Sequence, residues 1–421
     1  MSHHKDGYCK EGIRPDRPAT AVLTRGFDPR LSVGSARPAV FRSSTYVFSS
    51  PEAAERAFQI ASGAAVPEPG ESVELIYSRI SHPNAEILED QIVPLEPGAG
   101  RAAIFNSGMA AIMTAFLTFT RPGSTFVYTT PLYGGTMRFI HEFLSPFGIS
   151  GVAVPAGQTA RLEAAIRASK DLAAVFIETP SNPTMVMTDI RHAAHAAAQH
   201  PDKPLVMVDN TFLGPCFQHP LLLGADLVLY SATKYLSGFS DLIAGAALAR
   251  DPSLIQTMTS RRSMFGNILQ PDECWLLDGR LPTVTLRMNR QSKNAQRIAE
   301  ALVEHPKVKC VHYPTLYNNA DQIKIRLAQC DYPGGIFSME LHGGRSAAFA
   351  FLRSVRIASN AVSLGGVETL ACHPRTTTHS GLTPVELEEA GITEGMVRIS
   401  VGIEDWRDLL ADFEQALDNV A

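Results

Sequence analysis

Between residues 101 and 248 the sequence alternates short apolar runs with helix-length amphipathic segments, and this constrains the fold more than any other feature. Residues 102–105, 125–128, 151–154, 173–177, 205–208, 226–230 and 243–248 read as strands; 108–119, 136–143, 160–169 and 190–199 read as helices. Runs that are apolar throughout, separated by helices, indicate an α/β fold whose mostly parallel sheet is covered on both faces. Ligands on such sheets bind at the carboxyl ends of the strands. Two of these runs end in groups suited to chemistry: 205–208 leads into Asp209, and 226–230 leads into Ser231-Ala232-Thr233-Lys234-Tyr235.

A lysine held just past a buried strand, with hydroxyls in the preceding turn, can bond covalently to an aldehyde cofactor. A carboxylate at the end of another strand is the partner that a protonated pyridine nitrogen needs. Either residue alone has an ordinary explanation, as a solvated loop lysine or as a turn or helix-capping aspartate. Their joint placement points to pyridoxal phosphate.

At 421 residues the chain exceeds the roughly 250–300 at which a single core stops growing. The texture changes after Pro271: residues 283–304 form a long helical stretch, followed by short alternating strands at 309–312, 336–341 and 396–401 and a closing helix at 406–417. This reads as a smaller α+β domain. Residues before about 75 are irregular and rich in Gly and Pro, although Ser49-Ser50-Pro51-Glu52 has the form of a helix start. The expected division is an arm (1–75), a cofactor-binding domain (76–270) and a C-terminal domain (271–421).

The net charge of −5, without a cluster of Lys or Arg, argues against nucleic acid and anionic membranes as partners. No transmembrane helix or secretory signal is visible. Cys9, Cys216, Cys274, Cys310, Cys330 and Cys372 are too widely spaced for a metal knuckle or redox dithiol, so no metal is expected and a reducing cytoplasm fits best. Gly98-Ala99-Gly100-Arg101-Ala102-Ala103 matches the dinucleotide fingerprint but precedes a strand instead of following one, which argues against a dinucleotide site.

Further motifs extend along the chain: Tyr77-Ser78-Arg79, Asn106-Ser107-Gly108-Met109, Pro131-Leu132-Tyr133-Gly134, Glu178-Thr179-Pro180-Ser181-Asn182-Pro183, Ser363-Leu364-Gly365-Gly366 and Val397-Arg398-Ile399-Ser400-Val401-Gly402. Together with the lysine motif they resemble the Cys/Met metabolism family of pyridoxal-phosphate enzymes, of the aspartate-aminotransferase-like fold type I, from about Arg42 to Asp412. The resemblance implies that Lys234 holds the cofactor and moves protons, and that Asp209 faces the ring nitrogen. Ser107, Gly108, Met109, Ser231 and Thr233 would bind the phosphate, Tyr77 and Arg79 that of the neighbouring subunit. Tyr133 would stack on the ring and act as an acid, and Arg398 would clamp the substrate carboxylate, aided by Asn182 and Ser363. It further implies a homotetramer, a dimer of dimers with shared sites.

Three positions depart from the family pattern. Val362 stands where cystathionine-handling members tend to have Glu, and with Glu368-Thr369-Leu370 it looks more like methionine γ-lyases and homoserine-ester sulfhydrylases. Gly135 stands where methionine γ-lyases typically have Cys. Gly238-Phe239-Ser240-Asp241 has Phe in place of the family's His. The expected reaction is γ-elimination on a γ-substituted L-amino acid (methionine, homocysteine, an O-substituted homoserine or a canavanine-like compound), giving 2-oxobutanoate and ammonia. The alternative is γ-replacement, as in a sulfhydrylase or γ-synthase.

Overall fold

A computed structural model describes residues 17–420; Cys9 and the first part of the expected arm lie outside them. The larger sheet has seven strands: β1 (Arg101–Phe105), β2 (Thr125–Thr130), β3 (Ser150–Pro155), β4 (Leu172–Glu178), β5 (Leu205–Asp209), β6 (Leu227–Ser231) and β7 (Gly245–Ala249). They lie in the order β1-β7-β6-β5-β4-β2-β3, and only β7 runs antiparallel to its neighbours. Side chains alternate between two cores. Val127, Val175, Ile177, Val206 and Val208 enter one; Phe126, Phe176, Met207, Leu227 and Leu229 enter the other. Except for the edge strand β3, where Ser150, Gly151 and Ala153 are exposed, the strands are therefore apolar on both faces, which is why an apolar run without alternation indicated a covered parallel sheet.

The chain leaves β2 toward β3 on one side and leaves β4 toward β5 on the other, so the order reverses where β2 and β4 lie side by side. This switch point opens a crevice at the strands' carboxyl ends. The dinucleotide-like glycines serve packing: a Cβ on Gly100 would meet the Arg250 carbonyl oxygen at 2.5 Å.

The second sheet has five strands: β8 (Val308–His312), β9 (Ile336–Leu341), β10 (Ser359–Asn360), β11 (Leu370–Cys372) and β12 (Met396–Ser400), ordered β10-β11-β12-β9-β8. Val311, Phe337, Met339, Val397 and Ile399 on one face pack with Phe351 and Phe413 from helices Gly344–Ser354 and Trp406–Asp418. The opposite face carries Ser338, Arg398 and Ser400, and Ser338 Oγ donates to the Pro183 carbonyl, 2.7 Å away beyond the end of β4. Arg398 thereby faces the crevice of the larger sheet. No helix among the described residues is long and apolar enough to cross a membrane.

Candidate active site

The crevice holds a cavity of about 620 Å³ lined by Ser107, Gly108, Met109, Tyr133, Asn182, Asp209, Ser231, Thr233, Lys234, Ser363 and Arg398. These come from the ends of β1, β2, β4, β5 and β6, and from the second sheet. Tyr77 and Arg79 do not line it. They lie together near the surface, with the Arg79 guanidinium 5.9 Å from the Tyr77 ring centre and bonded to the Ser263 carbonyl.

Helix Gly108–Phe119 begins at the cavity, and Ser107 caps it by accepting from Ala110 N–H at 3.0 Å. The free N–H groups of that first turn and the positive end of the helix dipole make an anion pole. Gly108 lets it lie against β6: a Cβ there would meet Ser231 Cβ at 2.8 Å. Thr233 is tied to the backbone, bonded to Ala244 O at 3.2 Å and Ala244 N at 3.0 Å, which fixes the turn carrying Lys234.

Lys234 Nζ donates to Ser363 Oγ at 2.9 Å. Burial, and then the charge of Arg398, pull its ammonium down to about 8. Ser363 has a φ of 109°, a left-handed backbone that turns its carbonyl to Arg398 Nη2 at 2.7 Å. Arg398 Nη1 donates to Asn182 Oδ1 at 3.1 Å, while its buried Nε has no partner.

A carboxylate pole lies opposite. Asp209 accepts on Oδ1 from Thr211 N–H at 3.0 Å and the Thr211 hydroxyl at 2.6 Å. Glu178 is its register partner on β4, accepts from Tyr133 N–H at 2.8 Å, and has Oε1 buried without a partner. Burial raises both carboxyl groups; the Asp209 charge raises Glu178 further, while the Thr211 bonds pull Asp209 down. Asp209 is the member we assign the negative charge. Glu178 was quoted above only as part of a motif. Its signal was available: an acid ending an apolar strand, as Asp209 does.

The departures also have physical readings. At Gly135 a Cβ would meet Tyr133 Cε1 at 2.6 Å and Met109 Sδ at 3.2 Å, so the glycine provides room for the Tyr133 ring. Gly135→Ala is expected to lower kcat by up to about 10²-fold by displacing that ring, with global stability changed little; steady-state kinetics and thermal melting check this. Phe239 is off the cavity, with the guanidinium groups of Arg280 and Arg287 at 5.0 and 5.6 Å from its ring centre.

Residues 19–418 match the family described as Cys/Met metabolism PLP-dependent enzymes. The chain belongs to that family. It is 39% identical over 400 residues to an L-methionine gamma-lyase of Pseudomonas putida, covering 95% of this chain and 96% of that one. It is 40% identical over 345 residues to a cystathionine beta-lyase of Bacillus subtilis, covering 82% of this chain and 86% of that one. Among solved structures, cystathionine gamma synthase from Xanthomonas oryzae in complex with cystathionine superposes with a TM-score of 0.87 at 33% identity, covering 96% of this chain and 99% of that one.

The cavity fits the family's cofactor on its own evidence. Its anion pole suits a phosphate, its buried carboxylate suits a protonated ring nitrogen, and between them lies a lysine depressed to about 8. Close contact at Gly108 leaves the helix start as a smooth backbone cradle.

Proposed function

We propose that this enzyme carries out γ-elimination on a γ-substituted L-amino acid, releasing 2-oxobutanoate and ammonia. The observation that carries this reading is the double role of Ser363. Its hydroxyl accepts from Lys234 at 2.9 Å and its carbonyl accepts from Arg398 at 2.7 Å. A substrate carboxylate held by Arg398 thus places the adjacent carbon within reach of the lysine amine.

Pyridoxal phosphate, when bound, supplies an aldehyde to carry the substrate amine and a ring that draws electrons from the α carbon. Ser107, Gly108, Met109, Ser231 and Thr233 would hold its phosphate, and Asp209 would maintain positive charge at the ring nitrogen. Lys234 Nζ would take the proton at Cα, hand it on so that the amine is neutral again, and then take one at Cβ, which an amine with a pKa of about 8 does well at near-neutral pH. Tyr133 would face the ring and protonate the departing γ substituent; its backbone is fixed by Glu178 at 2.8 Å. Val362 is half exposed and lines the cavity without charge, which favours an uncharged γ substituent.

With Lys234 at about 8, the neutral amine fraction in cofactor-free protein grows tenfold per pH unit below that value and levels above it. The rate of cofactor loading, followed by absorbance, is expected to do the same. A rate still climbing near pH ~10, the range of an ordinary lysine, contradicts it.

Tyr77 and Arg79 are exposed and off this chain's cavity, which supports a site completed by a dimer partner, two such dimers making up the homotetramer. Mixing Arg79→Ala with Lys234→Ala subunits is expected to restore part of the activity, since some hybrid sites carry neither substitution. Exchange of subunits without recovery overturns the shared site. The five described cysteines are unpaired, which supports a reducing compartment such as the cytoplasm.

The γ-replacement reading draws on the likeness to cystathionine gamma synthase. An O-acylhomoserine supplied without thiol separates the two. Elimination predicts oxoacid and ammonia in equal amounts. Consumption only after a thiol is added establishes replacement and overturns the proposal.

A further inference from the structure

Cys310 and His312 are two residues apart on β8 and therefore share one face of the second sheet. Glu340 on the neighbouring antiparallel strand β9 lies directly opposite Cys310. A register shift between Val308 and Cys310 resets which side chains oppose one another at this point. The three donor atoms converge, all lying within 4.8 Å of one another. Cys310 Sγ is 3.5 Å from His312 Nε2 and 3.6 Å from Glu340 Oε2.

These separations match metal coordination. Zinc bonds of about 2.3 Å to sulfur and 2.0–2.2 Å to nitrogen or oxygen, at tetrahedral angles, put the donors about 3.6 Å apart. The other Glu340 oxygen is held by Lys309 Nζ at 2.9 Å, an arrangement that orients a ligating carboxylate from outside. All three residues are half-buried, so an ion there would be partly desolvated yet reachable from water.

We propose that Cys310, His312 and Glu340 form a site for a divalent transition-metal ion of the zinc type, with a fourth position open to water. On binding, the Cys310 thiol proton passes to solvent, His312 ligates as a neutral ring through Nε2, and the three donors replace metal-bound waters. The mixed thiolate, imidazole and carboxylate set selects zinc or cobalt over magnesium or calcium, which prefer oxygen alone. His312, Ser338 and Arg398 are cross-strand partners in one row, so the ion would brace the edge strand of the sheet that carries Arg398.

The test is cobalt titration of chelator-treated holoenzyme, comparing the unaltered chain with Cys310→Ser and His312→Asn. One tightly bound cobalt per chain is expected, with intense tetrahedral bands in the red, a thiolate charge-transfer band, and displacement by zinc. Each variant should weaken binding by at least about 10²-fold, since losing a ligand costs more than losing an outer partner, and Cys310→Ser should abolish the thiolate band. Retention of bound pyridoxal phosphate shows that each variant is folded; if one is not, the other decides. Equal cobalt binding by a folded variant and the unaltered chain overturns the site, as does a pale octahedral spectrum without a thiolate band.

Discussion

Replacing Lys234 with alanine is expected to lower turnover by at least about 10³-fold. A positioned proton carrier contributes roughly 10²–10⁴-fold, and here one amine serves at two successive carbons. Its burial and its bond to Ser363 at 2.9 Å leave no nearby substitute among the groups lining the cavity: Tyr133 is the acid on the leaving-group side, and the Asp209 and Glu178 carboxylates lie at the opposite pole. The absorption band of the bound cofactor should also shift, because it is no longer covalently held. Stability should not fall, since a buried amine that is costly to ionise has been removed. Kinetics and the visible spectrum of the same sample check both parts; a loss under tenfold contradicts the role.

The second large effect is expected at Arg398. Truncating a buried, hydrogen-bonded charge costs about 2–5 kcal/mol, so Arg398→Ala should reduce kcat/KM by roughly 30- to 5,000-fold at 1.36 kcal/mol per decade. Arg398→Lys should recover little, because an ammonium cannot hold a carboxylate through two parallel bonds while also serving Asn182 and Ser363. A further sign distinguishes this residue from a structural ion pair. The Arg398 charge is the second cause of the low Lys234 pKa. Its removal should move the rising limb of cofactor loading to higher pH, and an unmoved limb contradicts the coupling.

Much of this arrangement was legible locally. Helices Gly108–Phe119 and Ile190–Gln199 have the expected bounds, and Ser107 and Asp189 cap them by accepting from Ala110 and His192 N–H groups. The apolar runs of the larger sheet were found because parallel strands are buried on both faces. Helix Pro252–Phe265 was not recognised. Its polar composition conceals Arg262, which is buried against Glu89 at 2.5 Å and thus behaves as a core residue. The two- and three-residue strands β10 and β11 are too short to show a period.

The site divides in the same way. Lys234, Asp209 and Ser107 stand at element ends, where local pattern identifies them. The pairing of Glu178 with Asp209 and of Cys310 with Glu340 depends on which strands lie side by side, and nothing in a single strand records its neighbour. Phe239, which stands where the resemblance has a histidine, does not line the cavity. The turn at Gly238, with φ of 77°, instead places it against Arg280 and Arg287.

Oxoacid analysis in heavy water tests the central claim most directly. Holoenzyme is supplied with a panel of γ-substituted L-amino acids, together with a β-substituted one, and the products are examined by mass and by position of deuterium. The account predicts 2-oxobutanoate with deuterium in its C4 methyl group and an equal amount of ammonia from at least one γ-substituted substrate, because the group on that carbon has left and a solvent proton has replaced it. Pyruvate from the β-substituted compound alone, with no 2-oxobutanoate from the panel, would contradict it.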